Sequence, residues 1–278
     1  MWWFILFIIA IFIYIYISCP NLHFGNTAIP LYKRRDFIYP NIDNLNTITI
    51  MPSSGLSNRL RTVLGYVNVI NATNKHLLVI WLPDAQCNGY FLDYFLPIDN
   101  VTFTMKTQEK VDYTGQSSPE AIASYYRLTV PKSIYNILKL TPELESKIDN
   151  FVKKHNIKNC VGIHVRRTDL TGNLFNNFLN GSNPDEDFCR YINKNSHNQP
   201  FFLATDNPDT QQFYIKKYGN RVIFFSLLYH NNNLRKSSLE NAIIDIYLLS
   251  YCRKIKGTNN STFTEIAKFI RLSRYSTL

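Results

Sequence analysis

The apolar positions of this chain fall into short runs with two distinct periods. In "TITIM" (47–51), Ile48 and Ile50 alternate with polar residues, which is the two-residue period of a strand. The following stretch, "PSSGLSNRLRTVLGYVNVINATN", repeats Leu60, Val63, Leu64, Val67 and Ile70 at helical spacing, so strand, glycine-containing turn and helix make half of a βα unit. "HLLVIWL" (76–82) reads as the next strand, "NGYFLDYFLP" and "VTFTM" continue the apolar pattern, and a polar segment at roughly 105–120 has no assignable period. From Thr141 the alternation sharpens. "TPELESKIDNFVKKHN" is a helix with Thr141 as N-cap, Pro142 at the first position and acids in the first turn. Beyond it, "NCVGIHV", "PFFLATD", "RVIFF" and "KIKG" read as strands. The helices between and after them are "NPDEDFCRYINKN", "NPDTQQFYIKKYG" (ending at Gly219), "SSLENAIIDIYLLSYC" and "STFTEIAKFIRLS". Strands alternating with helices of this length predict an α/β fold, with parallel sheets covered on both faces. Two such units are expected, at 46–140 and 141–278.

The first residues follow neither period. Trp2 to Ile17 is apolar or aromatic throughout, Ser18 follows, and no charge occurs before Lys33. That length approaches the ~17-residue minimum for a membrane-spanning helix, and Trp2 and Trp3 suit a bilayer interface. No basic n-region or small-x-small cleavage site is present, so residues 1–18 read as an uncleaved signal anchor, and 19–45, with Pro20, Pro30 and Pro40, as a stalk. Two orientations are open. Lys33, Arg34 and Arg35 beyond the anchor favour a cytosolic body by the positive-inside rule. Sequons at Asn71, Asn100 and Asn180 favour a type II protein in the lumen of the secretory pathway, or its equivalent at a viral or host membrane.

The 278 residues carry a formal net charge of +10. An excess of that size favours an anionic partner: nucleic acid, a lipid surface or a phosphorylated small molecule. The basic residues are scattered, with no run of five or more Lys/Arg, which argues against nucleic acid. Five cysteines without a CxxC pair argue against a zinc site and against a disulfide framework. Nor is there a zinc-protease, serine-hydrolase or P-loop motif. "DED" (185–187) looks like a metal-binding Asp-x-Asp, but acids in the first turn of a helix are favoured by the helix dipole alone.

In a doubly wound sheet, ligands bind beyond the carboxyl ends of the strands. Four polar clusters fall at such ends: "GLSNR", "HVRRTD", "ATDNP" and "GTNNSTF". Arg166 and Arg167 are either solvated or salt-bridged strand-end charges, or a phosphate grip in which Arg166 forks onto the anion and Asp169 orients a neighbouring arginine. "GTNNSTFTEIA" offers a capping box, with Glu265 three residues after Thr262, and the same helix N-terminus is an anion site. Asp245 interrupts the apolar "AIIDIYLL". It is either surface-facing or a carboxylate kept to accept two hydrogen bonds from a guanine edge, since burying it unpaired is costly.

Taken in order and spacing, these clusters resemble the motifs of the GDP-fucose-dependent fucosyltransferases of the α-1,6, α-1,2 and protein O-fucosyltransferase superfamily. "GIHVRRTD", "FFLATDNP" and "AIIDIYLLSYCRKIKGTNNSTFTEIA" are similar to its three peptide motifs, and "SSGLSNRLRTVLGY" to its N-terminal helix start. The resemblance lies chiefly in 156–272 and is strongest to the α-1,6 branch. It implies a GT-B-like pair of Rossmann-like domains, inverting transfer, GDP-fucose as donor, a glycan or glycoprotein acceptor, and no metal or other cofactor. His164 and Asp245 are then expected at the guanine or ribose, and Arg166 at the β-phosphate, where it stabilises the departing GDP. Ser261, Thr262 and Phe263 are expected around the phosphates, with Gly55 and Asn58 reaching the donor from the N-terminal half. Two positions depart from the pattern. Leu174 stands where the α-1,6 enzymes have a proposed base, and Asn207 where a second Asp is usual. Asp206 and Asp169 are the candidate bases, and a base-free dissociative reaction is the alternative. Another GDP-sugar as donor, or a non-catalytic GDP- or glycan-binding membrane protein, are the competing readings.

Overall fold

The structure is a computed structural model and describes residues 39–167, 184–230 and 237–275. Strand β1 (Thr47–Pro52) runs into helix α1 (Leu56–Thr73), followed by β2 (His76–Ile80), β3 (Val101–Thr104) and β4 (Tyr113–Gly115). These strands form a parallel sheet in the order β3-β2-β1-β4. Helices α2 (Pro119–Tyr125) and α3 (Pro142–His155) lead into the second half. There β5 (Val161–Val165), α4 (Pro184–Asn195), β6 (Phe201–Thr205), α5 (Pro208–Tyr218) and β7 (Val222–Ile223) follow one another. Helix α6 (Leu239–Tyr251), β8 (Lys254–Gly257) and α7 (Thr262–Tyr275) complete it. The second sheet, also parallel, has the order β7-β6-β5-β8. Both sheets belong to one compact unit that starts at Tyr39.

Every residue of β5 and β6 is buried, as expected of parallel strands covered on both faces. Their side chains divide with a period of two. Val161, Ile163 and Val165 pack with Phe201, Leu203, Phe188, Ile192 and Tyr214 in a small core under α4 and α5. Phe202 and Ala204 point the other way, into a larger core shared with the first sheet and with Ile243, Ile244 and Ile266 of α6 and α7. The same alternation puts Gly162, His164 and Arg166 on that second face. Gly162 is there because α6 passes so close: a Cβ would lie 2.9 Å from Leu249 Cδ2 and 3.0 Å from Cys252 Sγ.

The segment at 105–120 contains β4 and the start of α2. A three-residue strand is too short to show a period. It is fixed by its ladder to β1 and by Asp112, whose carboxylate accepts the Thr49 N–H at 2.7 Å. The strand expected from "RVIFF" pairs only through Val222 and Ile223. Residues 1–18 lie outside the described residues. Among those described, no helix is long and apolar enough to cross a membrane.

Gly162→Val forces α6 off β5. The expected cost is about 1–3 kcal/mol, as for other overpacked cores, read from the midpoint of denaturant unfolding; an unchanged midpoint would show that the close approach is not a packing constraint.

Candidate functional site

Each sheet reverses its strand order beside its first strand. Chain leaving β1 goes to β2 on one side and returns as β4 on the other, and β5 stands in the same relation to β6 and β8. Such switch points leave a crevice beyond the carboxyl ends of the strands. Here the two crevices share one cleft of about 600 Å³, within the size range of small-molecule sites.

One wall belongs to the second half. Beyond the end of β5, Arg166 is half-buried on the cleft wall, and its backbone N–H donates to Thr258 Oγ1 at 3.0 Å. His164, two residues earlier on the same face, is buried, with Nδ1 2.7 Å from Thr264 Oγ1 and its ring stacked on Phe263 at 4.5 Å. Burial, aided by the neighbouring Arg166 charge, lowers its pKa to about 3, so the imidazole is neutral at ordinary pH. Gly257 opposite Thr264 has no room for a side chain, since a Cβ would sit 2.0 Å from Thr264 Oγ1. The N-terminus of α7 therefore lies flat against the end of β8, and Thr262 and Phe263 open onto the cleft. Asp245 and Ala242, three residues apart on α6, face the cleft together. Desolvation holds the Asp245 carboxyl well above the usual carboxylate range. Asp206, beyond the end of β6, also lines the cleft, and its Oδ1 accepts the Arg167 N–H at 2.8 Å.

The other wall comes from the first half. Gly55 is the N-cap of α1, and Asn58 on its first turn donates from Nδ2 to Ser54 Oγ at 3.1 Å. Ser54 itself holds the left-handed backbone (φ 74°), unusual for a residue with a side chain. The buried guanidinium of Arg59 fixes it there, donating from Nε to the Ser54 carbonyl at 2.7 Å. The same group also reaches the Leu82 carbonyl and the Asp84 carboxylate, and lies 5.5 Å from the Trp81 ring. Asp84 Oδ1 in turn accepts the N–H groups of Gln86 (2.8 Å) and Cys87 (2.9 Å). That turn presents Ala85, Gln86 and Asn88 to the cleft, beside Tyr94.

Gly55, Asn58, His164 and Arg166 are thus brought to one cleft, as are Asp206, Asp245, Thr262 and Phe263. Asp245 faces this cleft, and the surface-facing alternative falls. Ser261 is not on the cleft wall. It sits buried behind it as the residue preceding α7, with no hydrogen-bond partner for its Oγ among the described residues. The capping box expected from Thr262 and Glu265 is not formed. The helix begins at Thr262, one residue earlier than that pattern requires, and the Glu265 carboxylate instead pairs with Arg61 of α1 at 3.3 Å. Asp169 and Leu174 lie outside the described residues. Arg167 pairs with Asp185 of the "DED" run, and Asn207 caps α5 by accepting the Thr210 N–H at 2.8 Å, a duty Asn performs as well as Asp. No group of three or more metal-ligating side chains occurs among the described residues. Sequence reading missed Thr258, Thr264, Arg59 and Asp84. Arg59 stands inside "GLSNR", and Thr258 and Thr264 inside "GTNNSTFTEIA", so their proximity to the site was legible; Asp84 lies in none of the four clusters.

Two titrations follow. A histidine with a depressed folded pKa stabilises the fold above its ordinary value of 6.5, and that stability is lost as pH falls towards 3. His164→Gln should therefore flatten the acid limb of an unfolding-versus-pH curve; an unchanged limb would place the imidazole's acid sensitivity elsewhere. Asp245 works in the opposite sense. With its folded pKa raised, the unfolded chain ionises first, and stability falls as pH climbs from about 3.8 through the raised value. Asp245→Asn should accordingly raise stability at neutral pH by about 0.5–2 kcal/mol, measured by urea unfolding, whereas a loss would show the carboxylate to be compensated in the folded state.

No family model matches the chain, and no curated protein matches it by sequence. Solved structures do share its fold. The α-1,6-fucosyltransferase NodZ co-crystallised with GDP superposes with a TM-score of 0.55 at 16% identity, covering 80% of this chain and 92% of that one. NodZ from Bradyrhizobium gives a TM-score of 0.53 at 15% identity, over 80% and 92% of the two chains. POFUT1 in complex with GDP gives 0.51 at 12% identity, over 81% and 94%. The motifs quoted from the sequence and the sheets that carry them thus converge on one architecture: the chain has the fold of the fucosyltransferase NodZ and of POFUT1.

Proposed function

We propose that this protein is an inverting, metal-independent glycosyltransferase that moves fucose from GDP-fucose to a hydroxyl of a glycan or protein, anchored to a membrane by residues 1–18 and carrying its two halves as acceptor-side (46–140) and nucleotide-side (141–278) domains. One observation carries the reading: Arg166, neutral His164, Asp245 and the N-terminus of α7 meet on one wall of a cleft at the switch point of a parallel sheet. That wall supplies what a nucleoside diphosphate sugar requires. The guanidinium and the helix N-terminus would take the diphosphate, Phe263 and His164 offer ring faces and a neutral nitrogen, and Asp245 would accept from the edge of guanine. The complexes of NodZ with GDP-fucose and of POFUT1 with GDP support this assignment.

In the reaction an acceptor oxygen bonds to the anomeric carbon of fucose as the bond from that carbon to the β-phosphate oxygen breaks. GDP leaves with the bonding pair. The negative charge that gathers on it is met by Arg166 and the backbone N–H groups of α7, already oriented before the reaction begins. Asn58 and Gly55 would hold the sugar from the opposite wall. The acceptor's proton would pass to Asp206, the cleft carboxylate on the phosphate-gripping wall that is not assigned to guanine.

Transfer from labelled GDP-fucose should proceed in excess chelator, and strict dependence on added manganese would contradict the assignment. Arg166→Ala should lower kcat by on the order of 10²-fold or more, as for removal of other preorganised charge stabilisers. Near-normal turnover in that variant would take the leaving-group role away from it.

A further inference from the structure

The two walls of the cleft differ in charge. Every Asp, Glu, Lys or Arg side chain that faces it among the described residues, namely Arg166, Asp206 and Asp245, stands on the second-half wall. The first-half wall is built from Ser54, Ser57, Asn58, Gln86, Asn88 and Tyr94, with Gly55, Leu56 and Ala85 between them, and none of these ionises at neutral pH. In a chain of net charge +10 this neutral stretch is conspicuous. Two carboxylates adjoin it in sequence: Asp84, committed to Arg59 and to two backbone N–H groups, and Asp93, which precedes Tyr94 and does not line the cleft.

The wall's groups are amides, hydroxyls and one phenol. Each can donate and accept, which is the pairing that neighbouring hydroxyls of a sugar ring need, and Tyr94 adds an aromatic face. A carboxylate or sulfate brought against this wall would lose water and find no cation there. The loop is also preorganised. A single buried guanidinium, Arg59, holds Ser54 in its left-handed conformation and, through Asp84, the turn that carries Gln86 and Asn88.

We infer that the acceptor unit entering this cleft is an uncharged polyhydroxyl group, read by Gln86 and Asn88, and that Arg59 is the positioning residue that sets both. This inference rests on the donor reading above for the word acceptor. The neutrality of the wall and its selectivity do not.

The full chain is tested on an array of neutral oligosaccharides, their sialylated and sulfated counterparts, and unglycosylated folded protein domains, with labelled GDP-fucose. Neutral oligosaccharides should be preferred by about tenfold or more over acidic counterparts, the size of one net hydrogen bond. Asn88→Lys should shift that ratio towards the sulfated members. Arg59→Met should raise the acceptor KM at least about tenfold more than it changes the Kd for GDP in calorimetry, and Arg59→Lys should recover part of the loss. A merely structural arginine would weaken both ligands together. Preference for acidic glycans, transfer confined to unglycosylated domains, or an Asn88→Lys ratio equal to that of the wild type would each overturn the inference. If calorimetry shows no GDP or GDP-fucose binding, the donor reading fails. The array is then read as direct binding of labelled protein, where equal capture of neutral and acidic members would sink the neutral wall on its own.

Discussion

The cleft depends on the two-residue period of β5. A strand buried on both faces must fill one side with Val161, Ile163 and Val165, and that leaves Gly162, His164 and Arg166 in line on the other. Gly162 lets α6 come close, which brings Asp245 over the strand's end. His164 meets Thr264, which ties α7 to the sheet. Only the third residue of the line clears the core, and it is an arginine. Were the register shifted by one, the apolar set would face α6 and α7 and the guanidinium would leave the cleft.

The ends of the strands are then locked to one another by side-chain hydroxyls. Thr258 accepts from the Arg166 backbone, and Thr205 donates to the Val165 carbonyl at 2.7 Å. On the facing wall the equivalent task falls to Arg59, which organises two loops from a buried position. One wall is thus rigid and charged, the other rigid and neutral. A cleft divided in that way suits a reaction whose charge develops on one partner alone.

Much of this was readable in the chain. The long periodic helices and the β-branched strands are local in origin, and their order predicts parallel sheets without any knowledge of packing. The four polar clusters could be placed at strand ends for the same reason. What escaped was non-local. Strand β4 exists because β1 offers it a ladder, and the partners of Arg59 and Thr264 are 25 and 100 residues away. The capping box expected at Thr262 and Glu265 is absent for a related cause. A capping pattern fits two adjacent frames, and the Glu265 carboxylate is engaged by Arg61, on another helix, which no local pattern shows.

The central claim is positional, and a crystal structure of the chain with GDP tests it most directly. The diphosphate should lie within hydrogen-bond distance of the Arg166 guanidinium and of the first N–H groups of α7, with guanine at Asp245. A nucleotide bound elsewhere, or one whose phosphates point away from Arg166, would contradict the account.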